Sequence, residues 1–130
     1  MRLTLEKKER LNNRSLIRHL YTGGNIFHLS PFRVIWLPLR EKTGDCFQLL
    51  ISVPKSNIRL ATGRNQIRRR IREAYRLNKG ILREAVAKGA PAAAFCITYT
   101  SREILPFSTI QEKIILILQR LLKENEKVTR

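Results

Sequence analysis

Ser52-Val53-Pro54-Lys55, followed by Ala61-Thr62-Gly63-Arg64-Asn65-Gln66-Ile67-Arg68-Arg69-Arg70-Ile71-Arg72-Glu73-Ala74-Tyr75-Arg76, places a strand end, a short loop and an amphipathic helix in succession. The strand is 46–53 (Cys-Phe-Gln-Leu-Leu-Ile-Ser-Val), and it stops at Pro54, which has no N–H for a ladder. The helix is expected over 63–79, with Thr62 as its N-cap. At about 100° per residue, Arg64, Arg68, Arg72, Asn65, Arg76 and Arg69 fall within an arc of about 140°. Ile67, Ile71, Ala74 and Leu77 fall opposite them and form a core-facing stripe. Arg70 lands at the edge of that stripe and is expected to snorkel outward. The helix breaks near Gly80 and resumes through 81–86.

Upstream, 32–39 alternates as a strand, with Phe32, Val34 and Trp36 on one face and Arg33, Ile35 and Leu37 on the other. The turn cluster at 41–45 makes a hairpin of 32–39 and 46–53, with a further short strand near Ile26-Phe27. Residues 13–22 read as a helix whose Leu16, Ile17, Leu20 and Tyr21 share a face. Asn12 or Asn13 caps it and Gly23-Gly24 ends it. Downstream, Gly89-Ala90-Pro91 is a break and 92–99 is a buried strand. A last helix starts near Ser108, with capping-box spacing at Ser108/Gln111 and Thr109/Glu112. Ile110, Ile114, Ile117, Leu118, Leu121 and Leu122 are its apolar face. Residues 1–8 and 124–130 are expected to be mobile tails. The chain is thus a single α+β domain, without repeat or linker.

Twenty-six Lys+Arg against ten Asp+Glu leave a formal charge of +16 on a chain that is still 43% hydrophobic. A packed core inside so positive a shell implies a polyanionic partner. The charge is uneven: 50–79 hold nine basic residues and one acid, Glu73. Arginine forks pair bidentately with phosphate oxygens, so the helix face suits RNA or DNA. The competing reading, a solvated face with internal ion pairs, needs acids one turn away, and only Glu73 and Glu84 are near. Tyr21 and Trp36 are the candidates for stacking on unpaired bases, and core packing is the alternative for each.

Protein-borne catalysis finds little support. The acids are scattered, with no paired carboxylates on one element to hold Mg²⁺. His19 and His28, the only histidines, could act as acid and base, but nothing in the sequence fixes them together. No phosphate-binding glycine motif occurs. Cys46 and Cys96 form no metal-ligand pattern and read as buried free thiols, or as a disulfide in an oxidising compartment. No signal-peptide core or spanning segment appears, so a cytoplasmic location is expected.

Residues 52–76 resemble the protein component of bacterial ribonuclease P. That family carries a strand ending S-V-x-K, a short loop and a helix of pattern R-N-R-I-K-R-x-I-R-E-x-[FY]-R. Glu9-Arg10-Leu11, the following helix and Gly24 are similar to it as well. The resemblance implies one domain of order αβββαβα: a small, mostly antiparallel four-stranded sheet packed by helices, with a left-handed βαβ crossover. It implies a monomeric protein in a 1:1 ribonucleoprotein, with no membrane partner, that removes the 5′ leader of precursor tRNA. The catalytic Mg²⁺ would be held mainly by the RNA partner and none by the protein alone.

By the same resemblance, Arg64 and Asn65 match the first two signature positions, and Arg68, Arg69, Arg72 and Arg76 match basic positions along the helix. With Lys55, Arg59 and Gln66 they would contact the catalytic RNA. Arg14, Ile17, Tyr21 and Trp36 would line a leader cleft between the first helix and the sheet. Four departures stand out: Gln66 for the third signature Arg, Arg70 for an aliphatic residue, Ile17 for an aromatic and Ser56 for a second Lys. A ribosomal or other structural RNA-binding protein shares the size, charge and build, and is the alternative.

Overall fold

The computed structural model describes residues 9–39 and 46–129. In chain order the elements are α1 (Arg14–Gly23), β1 (Asn25–Leu29), β2 (Phe32–Pro38), β3 (Gln48–Ser52), α2 (Ala61–Asn78), α3 (Gly80–Ala87), β4 (Ala93–Tyr99) and α4 (Phe107–Thr129). The expected order of elements holds. The sequence near 41–45, read as a turn, lies outside the described residues.

The expected hairpin of β2 with β3 does not form. The sheet order is β1-β2-β4-β3; β2 pairs antiparallel with β1 and β4, and β3 runs parallel to β4. The reason lies in β4, whose seven residues are all buried. A strand apolar on both faces needs neighbours at both edges and cover on both sides, so β4 takes the centre and separates β2 from β3. The connection from β3 to β4 then has to cross over through α2 and α3, as parallel neighbours require.

The main core lies on one face. Phe32, Val34 and Trp36 of β2, Leu49 of β3 and Phe95, Ile97 and Tyr99 of β4 meet Ile67, Ile71, Ala74 and Tyr75 of α2 and Ile110, Ile114, Ile117, Leu118 and Leu121 of α4. The apolar stripe of α4 is the one its 3.6-residue periodicity places there. In α2, Ile67, Ile71 and Ala74 are buried as expected, but Leu77 is left 43% exposed near the helix end and Tyr75 is buried instead. A smaller cluster covers the other face. There Leu16, Ile17 and Leu20 of α1 pack with Leu11, Ile35, Leu37, Leu50, Ala94 and Cys96. Gly24 lets α1 approach, because a Cβ on it would stand 2.6 Å from Ile35 Cγ2.

Helix ends differ from expectation at the start of α2 and the end of α4, and agree at the start of α1. α2 begins at Ala61, its N-cap is Leu60, and Thr62 makes no cap. Asn13 caps α1, accepting from the Leu16 N–H at 3.2 Å. Residues 124–129 belong to α4 rather than to a tail. Asn125 is buried there and donates to the Pro91 carbonyl at 2.9 Å. Residues 1–8 lie outside the described residues. Cys46 and Cys96 form no disulfide; Cys96 is buried as expected, whereas Cys46 is only partly buried.

Candidate nucleic-acid interface

α2 presents its arginines as periodicity predicts, but their side chains do different work. Asn65, Gln66, Arg69 and Arg72 are exposed, while Arg64, Arg68 and Arg76 are half-buried. Arg68 Nη1 donates to Asn65 Oδ1 at 3.2 Å, one turn back on the same face. Arg64 turns away from that row: its Nη1 donates to the carbonyls of Ile58 (3.0 Å) and Arg59 (2.8 Å). It therefore shapes the 53–60 loop. Arg76 forks onto Glu73, with Nε to Oε2 at 2.9 Å, and this contact holds the Glu73 carboxyl below its ordinary range. Arg70 does not snorkel outward. Its Nη1 donates at 2.6 Å to the carbonyl of Leu105, in the loop between β4 and α4. An unpaired carbonyl near the core edge is a better partner than a path around the apolar stripe.

The 53–60 loop carries Lys55 and Arg59, both exposed. With Ser56 and Leu60 they line an open hollow of ≈ 770 Å³. Lys55, Arg59, Arg64 and Gln66 thus gather around one end of α2. Arg69, Arg72 and Arg76 continue along the helix from it.

The second set sits across the sheet. α1 packs on the face opposite the main core, so the residues it stands beside are those of that face. Tyr21 is half-exposed, and its hydroxyl shares a 3.4 Å hydrogen bond with the Cys96 thiol. That bond and partial burial push the Tyr21 phenol up to about 12, against a lowering pull from the Arg33 charge. Ile17 packs beneath, and Arg14 is exposed at the start of the helix. Trp36 does not belong here. It is 1% exposed and lies in the main core, on the far face of β2. Strand alternation separated its face from that of Arg33, and α1 covers the Arg33 face.

The strand register places further polar residues on the face that α1 covers, which sequence reasoning missed. Paired residues share a face, so His28, Arg33, Thr98 and Ser52 form a polar row across all four strands. Beside it runs a row of Ile26, Ile35, Cys96 and Leu50. The polar row ends at Ser52, where the chain enters the 53–60 loop that leads to the start of α2. The signal for this row was Arg33 itself, a lone charge inside an apolar strand on the face of Ile35. His19 is exposed on α1 and His28 on β1.

Behind both sites, Lys79 Nζ meets Glu9 Oε1 at 2.8 Å, with both side chains almost wholly buried, and Arg83 Nη2 stands 3.3 Å from the same oxygen. The N-terminal segment is thereby fastened beside the junction of α2 and α3. The Leu11 N–H bonds the Leu49 carbonyl on the edge of β3 at 3.0 Å. Among the described residues no three His, Cys, Asp or Glu side chains could together hold a metal ion, and no helix is long and apolar enough to cross a membrane.

The ribonuclease P family model matches residues 5–122. The ribonuclease P protein component of Porphyromonas gingivalis is 34% identical over 107 residues, covering 82% of this chain and 78% of that protein. The ribonuclease P protein of Thermotoga maritima superposes with a TM-score of 0.69 at 24% identity, covering 86% of this chain and 96% of that one. The Staphylococcus aureus protein gives 0.65 at 23%, covering 87% and 94%. A strand, loop and arginine helix of this pattern, on this four-stranded fold and with these relatives, place the chain in the ribonuclease P protein family.

Proposed function

We propose that this chain is the protein subunit of ribonuclease P, that the α2 face docks it on the catalytic RNA, and that the groove under α1 holds the 5′ leader of precursor tRNA. The observation that carries the reading is the α2 face: six arginines on one helix with a single acid among them. Two RNAs that must meet repel each other, and a +16 protein between them lowers that repulsion. The leader is unpaired, so a groove offering one pinned aromatic ring, an arginine and a polar row suits it better than a helix reading a duplex groove.

The division of labour follows. Asn65, Arg68, Arg69 and Arg72 meet phosphates and position the protein. Arg64 holds the loop that presents Lys55 and Arg59. Tyr21, Ile17, Arg14 and Arg33 hold the leader. Endonucleolytic hydrolysis, with its Mg²⁺ ions, belongs to the RNA. The protein acts as a monomer in a 1:1 ribonucleoprotein in the cytoplasm.

The leader assignment is tested with the reconstituted holoenzyme and precursor tRNA with and without its leader. Tyr21→Ala is expected to remove about 1–3 kcal/mol of binding from the leader-bearing substrate and to leave the leaderless one unchanged. Equal losses on both substrates would remove Tyr21 from the leader site.

A further inference from the structure

Leu60 and Ile104 are large apolar side chains left 73% and 46% exposed, and they line one open groove of ≈ 460 Å³ together with Arg59, Arg102 and Gln66. An exposed apolar pair is ordinary on a floppy loop. Here both walls are pinned from behind. On one side, Arg64 holds the carbonyls of Ile58 and Arg59, and Asn57 Nδ2 donates to the Tyr99 carbonyl at 3.0 Å. On the other, Arg70 holds the Leu105 carbonyl, and the Tyr99 hydroxyl accepts from the Leu105 N–H at 3.2 Å. The groove floor is Gly63, which is buried. A Cβ there would stand 3.0 Å from Ile58 Cγ2 and 3.2 Å from Ile104 Cδ1, so a larger residue would have to push both side chains aside by a few tenths of an ångström.

We propose that this groove is a slot for one unpaired nucleobase of the catalytic RNA, held between Leu60 and Ile104. The inference rests on the function proposed above. A base has apolar faces, a polar edge and flanking phosphates, and the groove offers a match for each. Leu60 and Ile104 supply apolar walls. The Gln66 amide can both donate to and accept from a base edge. Arg59 and Arg102 lie where phosphates on either side would meet guanidinium forks. The rigid walls reduce the ordering cost of binding. In this light the departure Gln66 and the departure Arg70 belong together: one reads the base, and the other fixes the wall that carries Ile104.

The test uses the full chain and a bacterial ribonuclease P RNA, with Ile104→Ser, Leu60→Ser and Arg72→Ala compared by affinity across a salt series. Dimethyl sulfate and carbodiimide probing, which together report unpaired A, C, G and U, is done on the RNA in each complex, and circular dichroism checks that the variants fold. Leu60, the more exposed wall, keeps the test intact if Ile104→Ser disturbs the loop. Each apolar change is expected to weaken binding about tenfold. The salt slope should stay as in the unsubstituted protein, because no charge is lost. One unpaired base protected in the unsubstituted complex should regain reactivity in both wall variants. Unchanged affinity in both variants overturns the slot. So does lost affinity with no base changing its reactivity, which would point to a protein or purely structural role for the groove. A chain that binds no ribonuclease P RNA, with Arg72→Ala no different, instead removes the functional reading and the slot with it.

Discussion

Tyr21 and Trp36 look alike in the sequence, as aromatics able to stack on bases, and the structure separates them. Tyr21 is tied at its hydroxyl to Cys96 and leaves its ring half in solvent; Trp36 is sealed in the core. Alternation placed residues on the two faces of β2, but which face α1 covers is a tertiary fact that no local pattern encodes. The Tyr21–Cys96 bond has a readable consequence. A phenol raised from 10 to about 12 favours its neutral form in the folded state. That contribution to stability is complete below pH 10 and is lost as pH rises towards 12. Absorbance titration of the tyrosinates in Cys96→Ala should show one group return towards 10, and an unmoved titration would contradict the bond. Lys79 behaves differently, being a buried ammonium matched to a buried carboxylate. Lys79→Met is expected to destabilise the fold by about 3 kcal/mol in urea unfolding, since it removes the nearer of the two cations described beside the buried Glu9 carboxylate. Glu9→Gln added to it should recover part of that loss.

α2 was the most legible element, because an 18-residue helix repeats its period often enough to fix both faces. What the wheel could not show was where each guanidinium goes. Arg64, Arg70 and Arg76 find carbonyls or a carboxylate within the protein, so fewer arginines than the wheel counts remain for phosphate. Arg72→Ala should therefore weaken binding to the catalytic RNA and lower the salt slope by about one. Arg64→Ala should weaken binding through the loop it holds. Glu73→Gln is expected to strengthen binding, by releasing Arg76 and removing a like charge to phosphate; a weaker complex would mean that the pair itself is the docking feature. The strands were less legible. β2 and β3 are successive in sequence and each reads well alone, yet the buried β4 stands between them. Length and apolar content marked β4 as interior, but its neighbours depend on α2 and α3 crossing over the sheet.

Taken whole, the molecule keeps its apolar residues in two clusters on the two faces of one sheet. The small cluster seats α1 on one face, and the large one seats α2 on the other with Arg69 and Arg72 exposed. The positive charge by itself points to a polyanion. The groove was legible only as a helix near a strand, because its polar row of His28, Arg33, Thr98 and Ser52 comes from four strands in register. The proposed docking of two RNAs predicts that the protein reduces the Mg²⁺ their union requires. The deciding measurement is cleavage of a precursor tRNA by a bacterial ribonuclease P RNA at low Mg²⁺, with and without this protein. Cleavage at the mature 5′ end should appear at Mg²⁺ concentrations where the RNA alone is idle. Cleavage no faster than with RNA alone would contradict that role.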